Sequence, residues 1–338
     1  VELGVPGRVM VDNAALALSA CEILGGTVRT SVEALRQFRK QLPALDSQLK
    51  HTLAGPGAEM TEWIHGGDGR FAKVDPEQLA AYTADDVREW VGPDMESAYL
   101  ELSLVGDFDT EAAIPLILET FGALPKRNAS KPPMESARII TQPDFPADKT
   151  FTYESKIDKA VALALWKTDP IGDNVSEARR MNILASITRD RLRKEIREEL
   201  GSSYSPSARY SANQAFDVAN FSVSSIATLE TAAQLQAAMR TIAEDVASGG
   251  INDDEFQRAL NPVLTELELS LRQNGHWLNT ILGRSQEKPI TLEWARHRDS
   301  DYQSMTVEEV EALATKYLQA EQASTISILP EVPESLEE

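Results

Sequence analysis

Four histidines, one cysteine and a segment that carries an arginine and a tyrosine seven residues apart are the places in this sequence where residue type and spacing could do chemistry. His51, His65, His276 and His297 include no pair at the i, i+4 spacing that sets two imidazoles on one helix face. The pattern therefore builds no zinc site, and each histidine reads as a surface or interface residue. Cys21 stands alone, which excludes an internal disulfide or a thiolate metal cage, and the apolar Leu18 and Leu24 near it point to a buried thiol. The clusters Gly55-Pro-Gly57 and Gly66-Gly-Asp-Gly69 lack both the Lys-Ser/Thr of a P-loop and the Rossmann glycine spacing, so they read as loops. Leu200-Gly-Ser-Ser-Tyr204 lacks the second glycine of a nucleophile elbow. Asp107 and Asp109 of Val105-Gly-Asp-Phe-Asp109 could pair as acid and base, but they stand where a helix entering at Ala112 needs an N-cap, and capping is the preferred reading.

What remains is Arg197-Glu-Glu-Leu-Gly-Ser-Ser-Tyr204, where a helix ends at a glycine and the chain passes directly into a strand. An arginine one turn before the helix end and a tyrosine just inside the strand can both project over one end of a sheet. The plainer alternative pairs Arg197 with Glu195 or Glu198 and leaves Tyr204 half-buried at a strand edge.

The elements that position this segment are legible from periodicity. Residues 151–153 and the apolar run Ala160–Trp166 read as strands, the second covered on both faces. Asn174-Val-Ser-Glu177 opens a long helix to Leu200 with Met181, Leu184, Ile187, Leu192 and Ile196 on its apolar side. Residues 203–210 and 218–225 alternate as strands about a polar turn at 212–217; helices over 229–247, 254–273 and 307–319 and a strand near 325–329 complete an α+β sandwich, a sheet with helices packed on one face.

Part of this pattern occurs twice. Thr30-Ser-Val-Glu33 and Asn252-Asp-Asp-Glu255 both read as capping boxes, 222 residues apart, and at that offset Phe38, Leu42, Leu45 and Leu49 fall on Leu260, Leu264, Leu267 and Leu271. Thr83-Ala-Asp-Asp-Val87 answers Thr306-Val-Glu-Glu-Val310 at 223, and Leu102-Ser-Leu104 answers the strand Ile326-Ser-Ile328 at 224. Four matches in one order predict tandem duplicated α/β sandwich domains: a first copy over 1–130, truncated at its front by about 73 residues, a Pro-rich and polar linker over 131–149, and a complete second copy over 150–338. The open front would leave an uncovered sheet edge or apolar face through which the chain could form a homo-oligomer. The start at Val1, with neither Met nor a basic-then-apolar leader, reads as a processed N-terminus or a fragment.

Composition narrows the function classes. Hydrophobic residues at 42% and charged residues at 25% are those of an ordinary globular chain, and 33 Lys+Arg against 53 Asp+Glu give a net charge of −20, which opposes nucleic acid and anionic lipid as partners. The longest apolar run, seven residues at Ala160–Trp166, is far short of the roughly 20 a membrane helix needs.

The run Leu192-Arg-Lys-Glu-Ile-Arg-Glu-Glu-Leu-Gly-Ser-Ser-Tyr-Ser205 resembles the Arg-x-x-x-Gly-x-x-Tyr type segment in the C-terminal halves of the pitrilysin/insulinase zinc peptidases. Val105-Gly-Asp-Phe-Asp109, Phe121-Gly-Ala-Leu-Pro125 and Leu35-Arg-Gln-Phe-Arg-Lys40 share the resemblance, which extends over essentially the whole chain and is closest to the bacterial two-half zinc proteases. In that family four homologous α+β domains form two halves that close around a peptide, and the first half carries His-x-x-Glu-His, whose histidines hold zinc and whose glutamate acts as base. This chain has no such motif, so the resemblance places it as a truncated third domain followed by a complete fourth. It implies no cofactor in this chain, zinc in an N-terminal His-x-x-Glu-His half that is either the same polypeptide or a separate subunit, a peptide substrate, inactivity of the isolated chain, and a bacterial periplasmic setting. It further implies that Arg197 and Tyr204 reach the scissile carbonyl and donate to the oxyanion of the tetrahedral intermediate. The alternative is a catalytically inactive structural or peptide-binding subunit of the same fold.

Overall fold

The computed structural model describes residues 28–200, 206–213, 215–283 and 285–331. They fall into two compact units whose segments interleave along the chain: described residues within 28–47, 73–134 and 270–295 contribute to the first, and those within 48–72, 135–269 and 296–331 to the second. The principal helices are α1 (Val28–His51), α2 (Ala54–Ile64), α3 (Ala84–Ser97), α4 (Thr110–Thr120), α5 (Val175–Leu200), α6 (Ala232–Ala247), α7 (Asp253–Ser270) and α8 (Val307–Tyr317).

The second unit is built on a sheet of β1 (Asp148–Glu154), β2 (Ala160–Thr168), β3 (Ser207–Asn213), β4 (Val218–Ala227) and β5 (Ser324–Glu331), in the order β1-β5-β2-β4-β3. β1 and β5 are parallel and every other pair is antiparallel, with Leu163 opposite Ile326, Ala164 opposite Val223 and Tyr210 opposite Phe221. The expected α+β sandwich is therefore present, with strands and helices within a few residues of the sequence-based bounds. α5, α6, α7 and α8 cover one face: Trp166 and Phe221 from the sheet interlock with Met181, Leu184, Leu235, Met239 and Val310, all fully buried. The five apolar positions expected on α5, from Met181 to Ile196, are all buried.

The other face of the sheet is covered as well. α2 lays Met60, Trp63 and Ile64, with Leu53 before it, on Phe151, Leu163, Leu165, Ile326 and Ile328, and Trp63 meets Phe145 and Phe151 edge-on at ring separations of 5.8 and 6.3 Å. This is why β2 reads as a continuous apolar run rather than an alternating one: both of its faces lose their water. Gly66, at φ +69°, sits against the carbonyl of Thr141, and a Cβ there would clash with it, so the Gly66-Gly-Asp-Gly69 cluster is a tight loop closing α2, as its composition suggested.

Helix starts follow the sequence with one exception. Thr83 and Thr306 each form a complete capping box, with Asp86 and Glu309; Asn252 does so with Glu255, and Asp109 caps α4 through the amides of Glu111 and Ala112. Thr30 does not stand at the N-cap position, because the backbone is already helical from Val28 and an N-cap must stand outside the helix.

In the first unit α1 buries Leu42 and leaves Phe38 and Leu45 half-buried. Arg127 ties the segment after α4 to the end of α3, its guanidinium donating to the carbonyls of Ala98 at 2.7 Å, Met95 at 2.9 Å, Asp94 at 3.1 Å and Glu96 at 3.3 Å. A cation is favoured there because these are the orphan acceptors at the negative end of the helix dipole. The expected strand at Leu102-Ser-Leu104 does not form: residues 99–105 belong to no helix or strand, and no described strand lies beside them to complete a ladder.

Candidate functional site

The site expected from the sequence lies where α5 ends and the chain enters the edge strand β3. The backbone of Arg197 is on the last turn of α5; its side chain, and Tyr204 entirely, lie outside the described residues. What is described is the pair of elements on either side of them. Leu192 and Ile196 are buried beneath the final turns of α5, and β3 resumes at Ser207, paired with Ser224 of β4. The segment bearing both residues is thus anchored at both ends by packed elements.

The orientation of α5 is fixed by arginines that sequence spacing did not single out. Arg191 forks onto Glu255, with Nε at 2.9 Å from Oε1 and Nη2 at 2.7 Å from Oε2, places Nη1 2.6 Å from Asp245 Oδ2, and also donates to the Gly250 carbonyl. Burial works against the charges, but the pairing outweighs it and holds the guanidinium above and the Glu255 carboxyl below their ordinary ranges. One arginine thus ties α5 to both the end of α6 and the capping box of α7.

At the other end of α5, Arg179 and Arg180 converge on Asp301, at 2.7 and 2.9 Å, and Arg180 reaches Glu309 of the α8 capping box at 3.0 Å. Nearby, Tyr317 Oη lies 2.6 Å from Glu177 and 2.9 Å from Asp169, and Lys316 donates to Asp169 at 2.8 Å. Lys316 is held above its usual range by the hydrogen bond to Asp169, whose own carboxyl is pulled down by Lys316 and Tyr317. The phenol of Tyr210 is pushed up to about 12, by burial first and then by Glu177 and Asp169. Asp169 and Glu177 share the Lys316 ammonium and the Tyr317 hydroxyl, so the cluster acts as a clasp between the end of β2, α5 and α8.

The histidines are separate from one another in role. His65 stacks on Phe71 at 3.7 Å with its Nδ1 2.6 Å from the Thr61 carbonyl, so Nδ1 carries the proton and donates; burial lowers its pKa. His51 sits 3.7 Å from Glu154. Among the described residues no group of three or more His, Cys, Asp or Glu could hold a metal ion, and no helix is long and apolar enough to cross a membrane.

The fold has clear relatives. The model of the family described as "Peptidase M16 inactive domain" matches residues 81–263, more than half of the chain, and these include the segment from Arg197 to Tyr204. The chloroplastic stromal processing peptidase of Arabidopsis thaliana is 22% identical over 311 residues, covering 78% of this chain and 24% of the relative, so the chain spans about a quarter of the length of the curated relatives it matches. The periplasmic protease PqqL from Escherichia coli superposes with a TM-score of 0.70 at 19% identity, over 88% of this chain and 33% of that one. A peptidase M16 inactive domain from Pseudomonas fluorescens does so with a TM-score of 0.66 at 17% identity, over 89% and 71%. At these identities the superpositions establish the fold, and the match to the family model carries the assignment: the chain belongs to the peptidase M16 inactive-domain family.

Proposed function

We propose that this chain is the non-metal half of a zinc metalloendopeptidase, enclosing a peptide and directing Arg197 and Tyr204 toward a zinc site carried by a His-x-x-Glu-His half. The observation that carries the reading is that the family match spans a segment keeping both donor types, an arginine on the last turn of α5 and a tyrosine before β3. A planar guanidinium and a phenol O–H stabilise an oxyanion only when aimed at the charge that develops in the transition state, and a long helix pinned by Arg191 with an edge strand registered on β4 supplies such rigidity. Zinc resides in the other half, the isolated chain is inactive, and a bacterial periplasm is the setting favoured by the family resemblance.

The test uses the complete enzyme and a quenched peptide substrate. Tyr204→Phe keeps the ring and is expected to lower kcat and kcat/KM together by about 10²-fold with melting temperature unchanged. Arg197→Lys keeps the charge but loses the planar fork and is expected to be impaired as well. Full turnover by Tyr204→Phe, or a drop in melting temperature with per-molecule turnover intact, would instead support a structural or peptide-binding subunit.

A further inference from the structure

α2 covers only part of its face of the sheet. The strand side chains packed with it belong to β1, β5 and β2, and none to β4 or the edge strand β3. On that side the register sets Arg209 opposite Ser222 and Ser211 opposite Asn220, while Tyr210 and Phe221 between them turn to the helical core. Lys167 of β2 stands opposite Asn220 and alternates onto the same side as Leu163 and Leu165. The outer half of this face is therefore polar, with Arg209, Ser211 and Lys167 exposed and Ser222 and Ser224 half-buried.

A polar outer face is ordinary for antiparallel strands, but its charge here is not. The chain carries a net charge of −20, yet Arg209 and Lys167 are the only charged residues of β2, β3 and β4. Among the described residues Arg209 forms no ion pair or hydrogen bond, and the hydroxyls of Ser211, Ser222 and Ser224 have no partner either. Lys167 forms no ion pair; it attracts Asp169 only at longer range, and Lys316 already holds that carboxylate at 2.8 Å. The other arginines of this unit behave differently: Arg70, Arg180 and Arg191 each donate to a carboxylate. A free guanidinium beside unengaged hydroxyls, on strands about 4.8 Å apart, is a donor set suited to a carboxylate from outside.

We propose that Arg209, supported by Ser222 and Lys167, forms a specificity subsite that takes an acidic side chain of the bound peptide. The inference rests on the reading of this chain as the peptide-enclosing half, and it names the class of peptide that half prefers. Arg209 follows Tyr204 by five residues, so the two Cα atoms are at most about 17 Å apart, within the span of one extended peptide. The planar fork of Arg209 fixes the carboxylate, and Lys167 adds positive potential behind it.

The probe is a fluorescein-labelled, Thr- and Val-rich peptide of about ten residues with Glu at alternate positions, compared with its Gln counterpart by fluorescence anisotropy on the full chain. At low salt the Glu peptide is expected to bind about tenfold more tightly, against the repulsion of the chain's overall charge, and the advantage is expected to shrink as salt is raised. Arg209→Gln is expected to abolish the difference and Arg209→Glu to reverse it, with melting temperature unchanged because Arg209 has no described partner to lose. In the complete enzyme, kcat/KM over a quenched peptide library is expected to favour acidic side chains, and Arg209→Gln to remove that preference. Equal binding of the Glu and Gln peptides, or a preference that survives Arg209→Gln, overturns the proposal. So does self-association of the chain that Arg209→Glu abolishes, which assigns the face to a second copy. A charge preference reversed by Arg209→Glu, together with full turnover by Tyr204→Phe, keeps the subsite and removes the catalytic reading; the converse pair of results keeps the catalytic reading and removes the subsite.

Discussion

Asp301 shows how far a single buried carboxylate reaches in this molecule. Its side chain is 11% exposed and holds both Arg179 and Arg180, the latter also bound to Glu309 at the start of α8. Replacing it by Asn removes the carboxylate charge that Arg179 and Arg180 share and leaves Arg180 paired with Glu309, and Asp301→Asn is expected to cost about 3 kcal/mol in urea unfolding at pH 7. The pH dependence has a fixed sign. Burial alone would raise the Asp301 carboxyl, but the two arginines lower it below its ordinary value. The carboxylate therefore stabilises the fold above the unfolded-state pKa, near 4, and that stability is lost as pH falls through the lowered folded-state value. Unfolding curves of the wild type and Asp301→Asn are expected to converge below about pH 4; a gap that stays constant to pH 2 would show that the carboxylate charge is not the cause. None of these partnerships was readable in the sequence, because Asp301 lies 122 residues from Arg179. The Thr83, Thr306, Asn252 and Asp109 caps were readable, since each bonds within three residues of itself.

At the scale of elements, α2 is the clearest case of tertiary context. Its sequence, with Gly55, Pro56 and Gly57 in the first turn, reads as a loop, yet it forms the helix that covers the second face of the sheet. Burial of Ile64, Met60 and Trp63 on Leu165 and Ile328 outweighs the intrinsic preference of the glycines. Ile64→Ala is expected to destabilise the second unit by about 2–3 kcal/mol, whereas Ile157→Ala, at a side chain 70% exposed, is expected to be near neutral. Chemical denaturation of the two variants side by side checks this, and equal losses would mean that α2 contributes little cover. Strand identity behaved in the opposite way at Leu102-Ser-Leu104, where the pattern was that of a strand but no described neighbour completes it.

For the whole molecule, the contrast between the two units carries an expectation of its own. The second unit buries Trp166, Phe221, Met181, Leu235 and Met239 in one core and has a second cluster across the sheet, whereas the first exposes apolar side chains along 100–124. Amides of α3 and α4 are therefore expected to exchange well before those of β2, β4 and α5 under native conditions. Exchange mass spectrometry distinguishes the cases: simultaneous exchange of both groups would mean that the units unfold as one cooperative body.

The sequence by itself determined the local elements of the second unit, the helix caps, the absence of a zinc-binding histidine pair and the resemblance carried by Leu192–Ser205, because periodicity, capping and short motifs are written in residues close along the chain. Only the tertiary structure decided that α2 closes the second face of the sheet, that Arg191, Arg180 and Asp301 fix both ends of α5, and that residues 100–105 form no strand with any described neighbour. Those outcomes depend on which distant surfaces meet. Burial and ion pairing act through space between residues tens to hundreds of positions apart, and no local pattern encodes them.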